Sequence, residues 1–197
     1  RMFRNNQAYI VLDTETGGLS PAKHSLLEVS GILWRPGKLI KPVFDCYVKE
    51  DEIITVPRAM EINQIDLNVV RERGKSPKEA IKYIKHALDE ELGTNRRPVK
   101  ILAHNASFDY GFLKRLYNLA GERINKDFYG RTIDTASILE FLMIVDHIKG
   151  DRASADVLFE STNNQLKEEE RHRSYYDALA TAKSMETLFN IYLNGGK

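Results

Sequence analysis

Ile101-Leu102-Ala103-His104-Asn105-Ala106-Ser107-Phe108-Asp109 is an apolar run that stops abruptly at a histidine and an asparagine, then reaches an acid four residues later. A strand buried on both faces reads as continuous apolar sequence, and an α/β sheet presents its chemistry where such strands end. The same change of character occurs at Tyr9-Ile10-Val11-Leu12, which runs directly into Asp13-Thr14-Glu15. A third acidic point lies near the end of the chain, in His172-Arg173-Ser174-Tyr175-Tyr176-Asp177. Carboxylates from three separate places, gathered together, would bind divalent metal.

Outward from these stretches the elements follow in order. Ala8 to Leu12 reads as a buried strand. Leu26 to Trp34 and Leu39 to Val48 read as two more, joined by the turn Arg35-Pro36-Gly37-Lys38 into an antiparallel meander. Pro57 to Ile65 is expected to form a short helix. Ser76, Pro77 and Glu79 supply the cap, the first-turn proline and the acid of a capping box. Ala80, Ile81, Ile84, Ala87 and Leu88 then recur at helical spacing up to Gly93. Val99 to Ala103 is the fourth strand. Phe108 to Ala120 is a helix with Phe112, Leu113, Leu116 and Leu119 expected on its buried side, ended by Gly121. Arg131 to Asp134 is a short fifth strand, and helices are expected over Thr135 to Val145, Ala153 to Ser161 and Ser174 to Tyr192. Three strands in a meander, then strands alternating with helices, predict an α/β fold. It resembles the ribonuclease H-like architecture: a mixed five-stranded sheet, antiparallel then parallel, flanked by helices.

The 197 residues fit one domain with its core over about residues 8–192. A hydrophobic content of 42% with 29% charged residues excludes a disordered chain. A net charge of +1 excludes a protein that coats nucleic acid through charge alone. Cys46 is the one cysteine, which rules out an internal disulfide, and it reads as a small core thiol. The longest apolar patch, Ile138 to Val145, is broken by Glu140 and falls far short of the roughly 20 residues that span a bilayer. The N-terminus lacks the apolar region of a signal peptide. A cytoplasmic, soluble protein with no membrane partner is expected. The last helix ends close to Lys197, so no second domain or flexible tail is expected.

Each acid has an ordinary explanation when taken alone. Asp13 and Glu15 suit a solvated turn before Gly17-Gly18, and Asp109 suits a helix N-terminus. Ser174 and Asp177 fit a capping pattern, and His172 sits in the charged run Lys167 to Arg173. Yet Asp13 and Glu15 at i and i+2 share one face of a strand. Two unit charges 4 Å apart repel by about 4 kcal/mol at an effective dielectric near 20, unless a cation lies between them.

The order of the parts is more specific than any part. D-x-E on the first strand, H-N-x-x-F-D after the fourth and H-x₄-D at the last helix together resemble the DEDDh family of 3′–5′ exonucleases, of the epsilon-subunit and ribonuclease T kinds. The resemblance runs from Ala8 to Tyr192. It implies that Asp13, Glu15, Asp109 and Asp177 are metal-site carboxylates and that His172 is the general base. It also implies two divalent metal ions, Mg²⁺ with Mn²⁺ able to substitute. Leu26-Leu27-Glu28-Val29 is similar to the family's second strand with its acid, and Asp134 in Thr132-Ile133-Asp134-Thr135 is read as a supporting residue or an N-cap. Two positions depart from the family pattern. Asn63 stands where a histidine followed by glycine is usual, as in ribonuclease T-like members, and Ser174 replaces a small apolar residue.

The resemblance implies hydrolysis of phosphodiesters from single-stranded DNA 3′ ends, releasing nucleoside 5′-monophosphates. The alternative is RNA 3′-end trimming of the ribonuclease T or oligoribonuclease kind. A non-catalytic nucleic-acid-binding domain is the third reading, opposed by all five expected positions being filled. Expected partners are a single-stranded DNA or RNA 3′ end and a DNA polymerase; the oligomeric state is open. Thr16, Gly17, Gly18, Leu19, His104, Asn105 and Phe108 are the expected substrate contacts, with Tyr175 beside them. Leu19 and Phe108 would stack or wedge the last bases. His104 and Asn105 would reach the terminal sugar or phosphate, and the glycines would allow close backbone approach.

Overall fold

A computed structural model describes residues 7–193. Its centre is β1 (Tyr9–Thr16), which pairs antiparallel with β2 (Leu26–Arg35) on one side and parallel with β4 (Lys100–Ala103) on the other. β3 (Leu39–Tyr47) extends the antiparallel side and β5 (Ile133–Asp134) the parallel side, giving the order β3-β2-β1-β4-β5. The mixed five-stranded sheet read from the sequence is present, with helices on both faces.

Strand alternation decides which helix each β1 side chain meets. Ile10 and Leu12 point into one apolar cluster with α3 (Pro77–Leu92) and α4 (Ala106–Leu119). Val11 points into another with α5 (Thr135–Ile144), α6 (Ala155–Ser161) and α7 (Ser174–Leu193). The strand is therefore apolar at every position until Asp13, because both of its faces are covered. Cys46 packs against the first cluster, and burial pushes its thiol up to about 12.

Three details differ from the sequence reading. β1 continues four residues beyond its apolar run, since β2 provides ladder partners as far as Thr16 opposite Leu26. The acids thus lie within the sheet and not in a turn after it. Leu119 is 46% exposed, and Tyr117 takes the buried position on α4 in its place. After α1 (Pro57–Asn63), the helix α2 (Leu67–Arg73) was not anticipated: it has seven residues, an Asp66 cap and a single buried side chain, Val70, too little for a periodic signal. The Ser76–Glu79 capping box of α3 forms as expected. Among the described residues no helix is long and apolar enough to cross a membrane.

Candidate active site

Asp13 and Glu15 follow Val11 on the same face of β1, the face covered by α7. Asp177 lies in the first turn of α7. Carboxylate oxygens of Asp13, Glu15 and Asp177 all lie within 4.8 Å of one another. Thr14 points the opposite way, toward α4, where its hydroxyl donates to Oδ1 of buried Asp109 at 2.7 Å. One strand thereby brings together acids from three distant parts of the chain.

Burial raises the proton affinity of all four acids, and at Asp13 and Glu15 the charges of the other acids add to it. Burial, then the charges of Asp109, Asp177 and Glu15, lifts Asp13 well above the usual carboxylate range. Burial, then Asp177 and Glu28, pushes Glu15 up to about 8. Burial takes Asp109 to about 7 against the opposing Thr14 hydrogen bond. It takes Asp177 to about 6 against hydrogen bonds from the backbone of Arg173 and His172. These acids titrate as a group, not singly. Oδ2 of Asp177 is buried with no hydrogen-bond partner. An all-oxygen donor set, closely spaced and carrying an orphaned oxygen, fits a hard divalent cation.

His172 is exposed, has φ +59° and lines a cleft of about 850 Å³ together with Ile62, Asn63, Gln64 and Leu166, a cleft whose lining includes none of the four acids. Leu19 is 83% exposed in the loop after β1. Phe108 is partly buried and packs on Phe112 with ring centroids 5.0 Å apart. Tyr175 is partly buried, packs on the α7-side apolar cluster and meets Tyr176 edge-on.

Other expected contacts are engaged within the protein. His104 uses both ring nitrogens, Nδ1 with Thr135 Oγ1 at 3.0 Å and Nε2 with the Ala153 carbonyl at 3.1 Å. Asn105 is exposed with φ +64°, and its backbone N–H donates to Asp134. Asp134 caps α5 by accepting from Ala136 N. Thr16 donates to the Gly18 carbonyl. A Cβ on Gly17 would lie 2.3 Å from the Ile54 carbonyl, and one on Gly18 would strike the His24 ring. Close packing within the chain therefore already demands glycine at both places.

Residues 10–185 match the RNase T family model, described as an exonuclease. The chain belongs to the RNase T exonuclease family.

Relatives of this chain include DNA polymerases and a ribonuclease. The PolC-type DNA polymerase III of Listeria innocua is 28% identical over 175 residues, which are 88% of this chain but 11% of the polymerase. Ribonuclease T of Yersinia pseudotuberculosis is 26% identical over 189 residues, 92% of this chain and 84% of that protein. Among solved structures, Escherichia coli Exonuclease I in complex with a dT13 oligonucleotide superposes with a TM-score of 0.72 at 16% identity, over 93% of this chain and 41% of that one. Cell-death related nuclease 4 superposes with a TM-score of 0.74 at 14% identity, over 97% and 65%. At such identities the structural likeness establishes the fold.

Within the RNase T exonuclease fold, β2 has a part that the sequence did not disclose. Asp13 lies opposite Ser30 and Glu15 opposite Glu28 in the antiparallel register. Ser30 donates to Asp45 at 2.7 Å and shares a 2.6 Å hydrogen bond with the Ser174 hydroxyl. Glu28, buried, accepts from the Arg173 guanidinium at 3.1 Å and from the Ser174 backbone N–H at 3.1 Å. The cross-strand partners of the two β1 acids thus hold the first residues of α7 and set Asp177 over them. This also explains the unusual serine at 174, whose hydroxyl goes to Ser30 and not to a cap. Thr14, Ser30 and Arg173 are invisible as site residues without the strand register.

Proposed function

We propose that this chain is a metal-dependent 3′–5′ exonuclease acting on single-stranded DNA ends and releasing nucleoside 5′-monophosphates. The observation that carries the reading is the convergence of Asp13, Glu15 and Asp177, with Asp109 held behind them by Thr14. Asp13, Glu15, Asp109 and Asp177 would hold the divalent ions, Mg²⁺ or Mn²⁺. Such ions supply Lewis acidity and offset the charge of the phosphodiester. The chain's own groups do the rest. His172 takes the proton of the attacking water. The water oxygen bonds to phosphorus, the bond from phosphorus to the 3′ oxygen breaks, and that oxygen leaves with a proton from solvent. Leu19 and Phe108 hold the last bases, and Gly17 and Gly18 bring the loop backbone close to them. A recessed acid cluster suits an unpaired end, because a duplex terminus cannot bring its phosphodiester down to the cluster.

RNA trimming is the second reading. It is favoured by the coverage of 84% of Ribonuclease T, against 11% of the PolC-type polymerase. Residues 1–197 are read as a single exonuclease domain under either reading. The PolC-type relationship makes a DNA polymerase the candidate protein partner under the DNA reading. Digestion of matched single-stranded DNA and RNA oligonucleotides, labelled at the 5′ end, separates the two. Faster shortening of the DNA supports the first, and faster shortening of the RNA replaces it with the second.

A further inference from the structure

Arg171 immediately precedes His172, and its Nη2 donates to Oδ1 of Asp156 at 2.6 Å. Both partners are substantially exposed, at 43% and 58%. Arg171 lines the cleft of about 850 Å³ that also holds His172, and it is the only lysine or arginine among the described residues lining it. It lines as well a smaller cavity of about 210 Å³ that contains Asp156 and Asp177. The guanidinium therefore lines both spaces, hydrogen-bonded to Asp156 and within electrostatic reach of Asp177.

Resting on the exonuclease reading, we propose that Arg171 is a substrate-phosphate ligand that Asp156 holds in reserve. A phosphodiester or terminal phosphate entering the cleft meets Glu168 and Glu169 on the same wall, so Arg171 supplies the attraction from that side. The planar fork of a guanidinium matches phosphate oxygens bidentately. An exposed carboxylate pair is worth little, so exchanging it for phosphate is easy. The exchange turns the guanidinium from the small cavity toward the cleft.

The two residues then have opposite effects, which a merely structural ion pair would not. Thymidine 5′-monophosphate binding is measured by calorimetry in Mg²⁺ for the wild-type chain, Arg171→Gln and Asp156→Asn, alongside KM on a single-stranded oligonucleotide. Arg171→Gln should weaken nucleotide binding by about tenfold or more. Asp156→Asn should tighten it by about two- to fivefold, by releasing the guanidinium. KM should move in the same two directions with kcat little changed. Weakening in both variants, or no change in either, overturns the proposal, as does failure of the wild-type chain to bind the nucleotide. Opposed shifts in nucleotide binding without any hydrolysis would remove the exonuclease reading and leave the phosphate site standing.

Discussion

Thr14 and Asp109 are joined by a buried hydrogen bond of 2.7 Å across 95 residues of sequence. The strand that turns Asp13 and Glu15 toward α7 turns Thr14 toward α4, so one alternating tripeptide reaches acids on both sides of the sheet. The hydroxyl fixes the Asp109 carboxylate and lowers its proton affinity against the rise that burial causes. Replacing Thr14 with valine keeps the shape and removes the donor. We expect Thr14→Val to stay folded, to lose roughly tenfold in kcat through misplacement of the carboxylate, and to need higher pH for full activity. Thr14→Ser should retain most of the rate. A pH–rate profile of the three proteins checks this.

Glu28 is a second such tie. It accepts from Arg173 and from the first N–H of α7, so its loss leaves the buried Ser174 N–H without an acceptor and Arg173 without its carboxylate. Glu28→Ala should cost about 1–3 kcal/mol by urea unfolding and weaken Mg²⁺ binding, because Asp177 is no longer set over β1. Glu28→Gln keeps an acceptor for Ser174 and should be the milder change. Equal metal affinity in all three proteins would show that α7 is placed by its apolar packing alone.

The acid cluster sets the pH dependence of the metal-free protein. Its pKa values in the folded chain exceed those of an unfolded one, near 7 for Asp109 and near 8 for Glu15. Their contribution to stability is fully present below the ordinary carboxylate range and is lost as pH rises through the folded values. The metal-free protein should therefore melt at lower temperature at about pH 8.5 than at about pH 5, other groups being equal. Mg²⁺ should restore stability strongly at the higher pH and weakly at the lower, where protons compete for the same oxygens. Binding near neutral pH should release protons, which calorimetry in buffers of different ionisation enthalpy detects.

His172 tests the base assignment separately from the metal. His172→Ala removes an exposed ring on the cleft and none of the four acids. Mg²⁺ affinity should stay within error, while kcat near neutral pH falls by about a hundredfold or more. An unchanged rate would move the base role elsewhere and leave the carboxylate assignment intact.

Much of the fold was legible because β1 and β4 are covered on both faces and so carry unbroken apolar runs. The capping box at Ser76 and the spacing of α3 were equally explicit. The helix α2 was not, since one buried valine in seven residues makes no period. For the site, the acids could be read because their order along the chain resembles the exonuclease pattern, whereas each alone suited a turn or a cap. Thr14, Ser30 and Glu28 were less visible as working parts. Their roles depend on which residue lies opposite which, and register is a property of the paired strands, not of either sequence. His104 and the glycines show the converse. His104 spends both nitrogens on the protein, and Gly17 and Gly18 are already required by internal packing.

The most direct measurement follows a 5′-labelled single-stranded oligonucleotide with the wild-type chain and with Asp13→Asn, each in Mg²⁺ and in EDTA. Asp13→Asn removes a charge from a repelling cluster and takes nothing from the apolar core, so it should remain folded. Metal-dependent hydrolysis at the acid cluster predicts stepwise shortening from the 3′ end by the wild-type chain in Mg²⁺, and none in the other three reactions. Undiminished shortening in EDTA, or by Asp13→Asn, would contradict it.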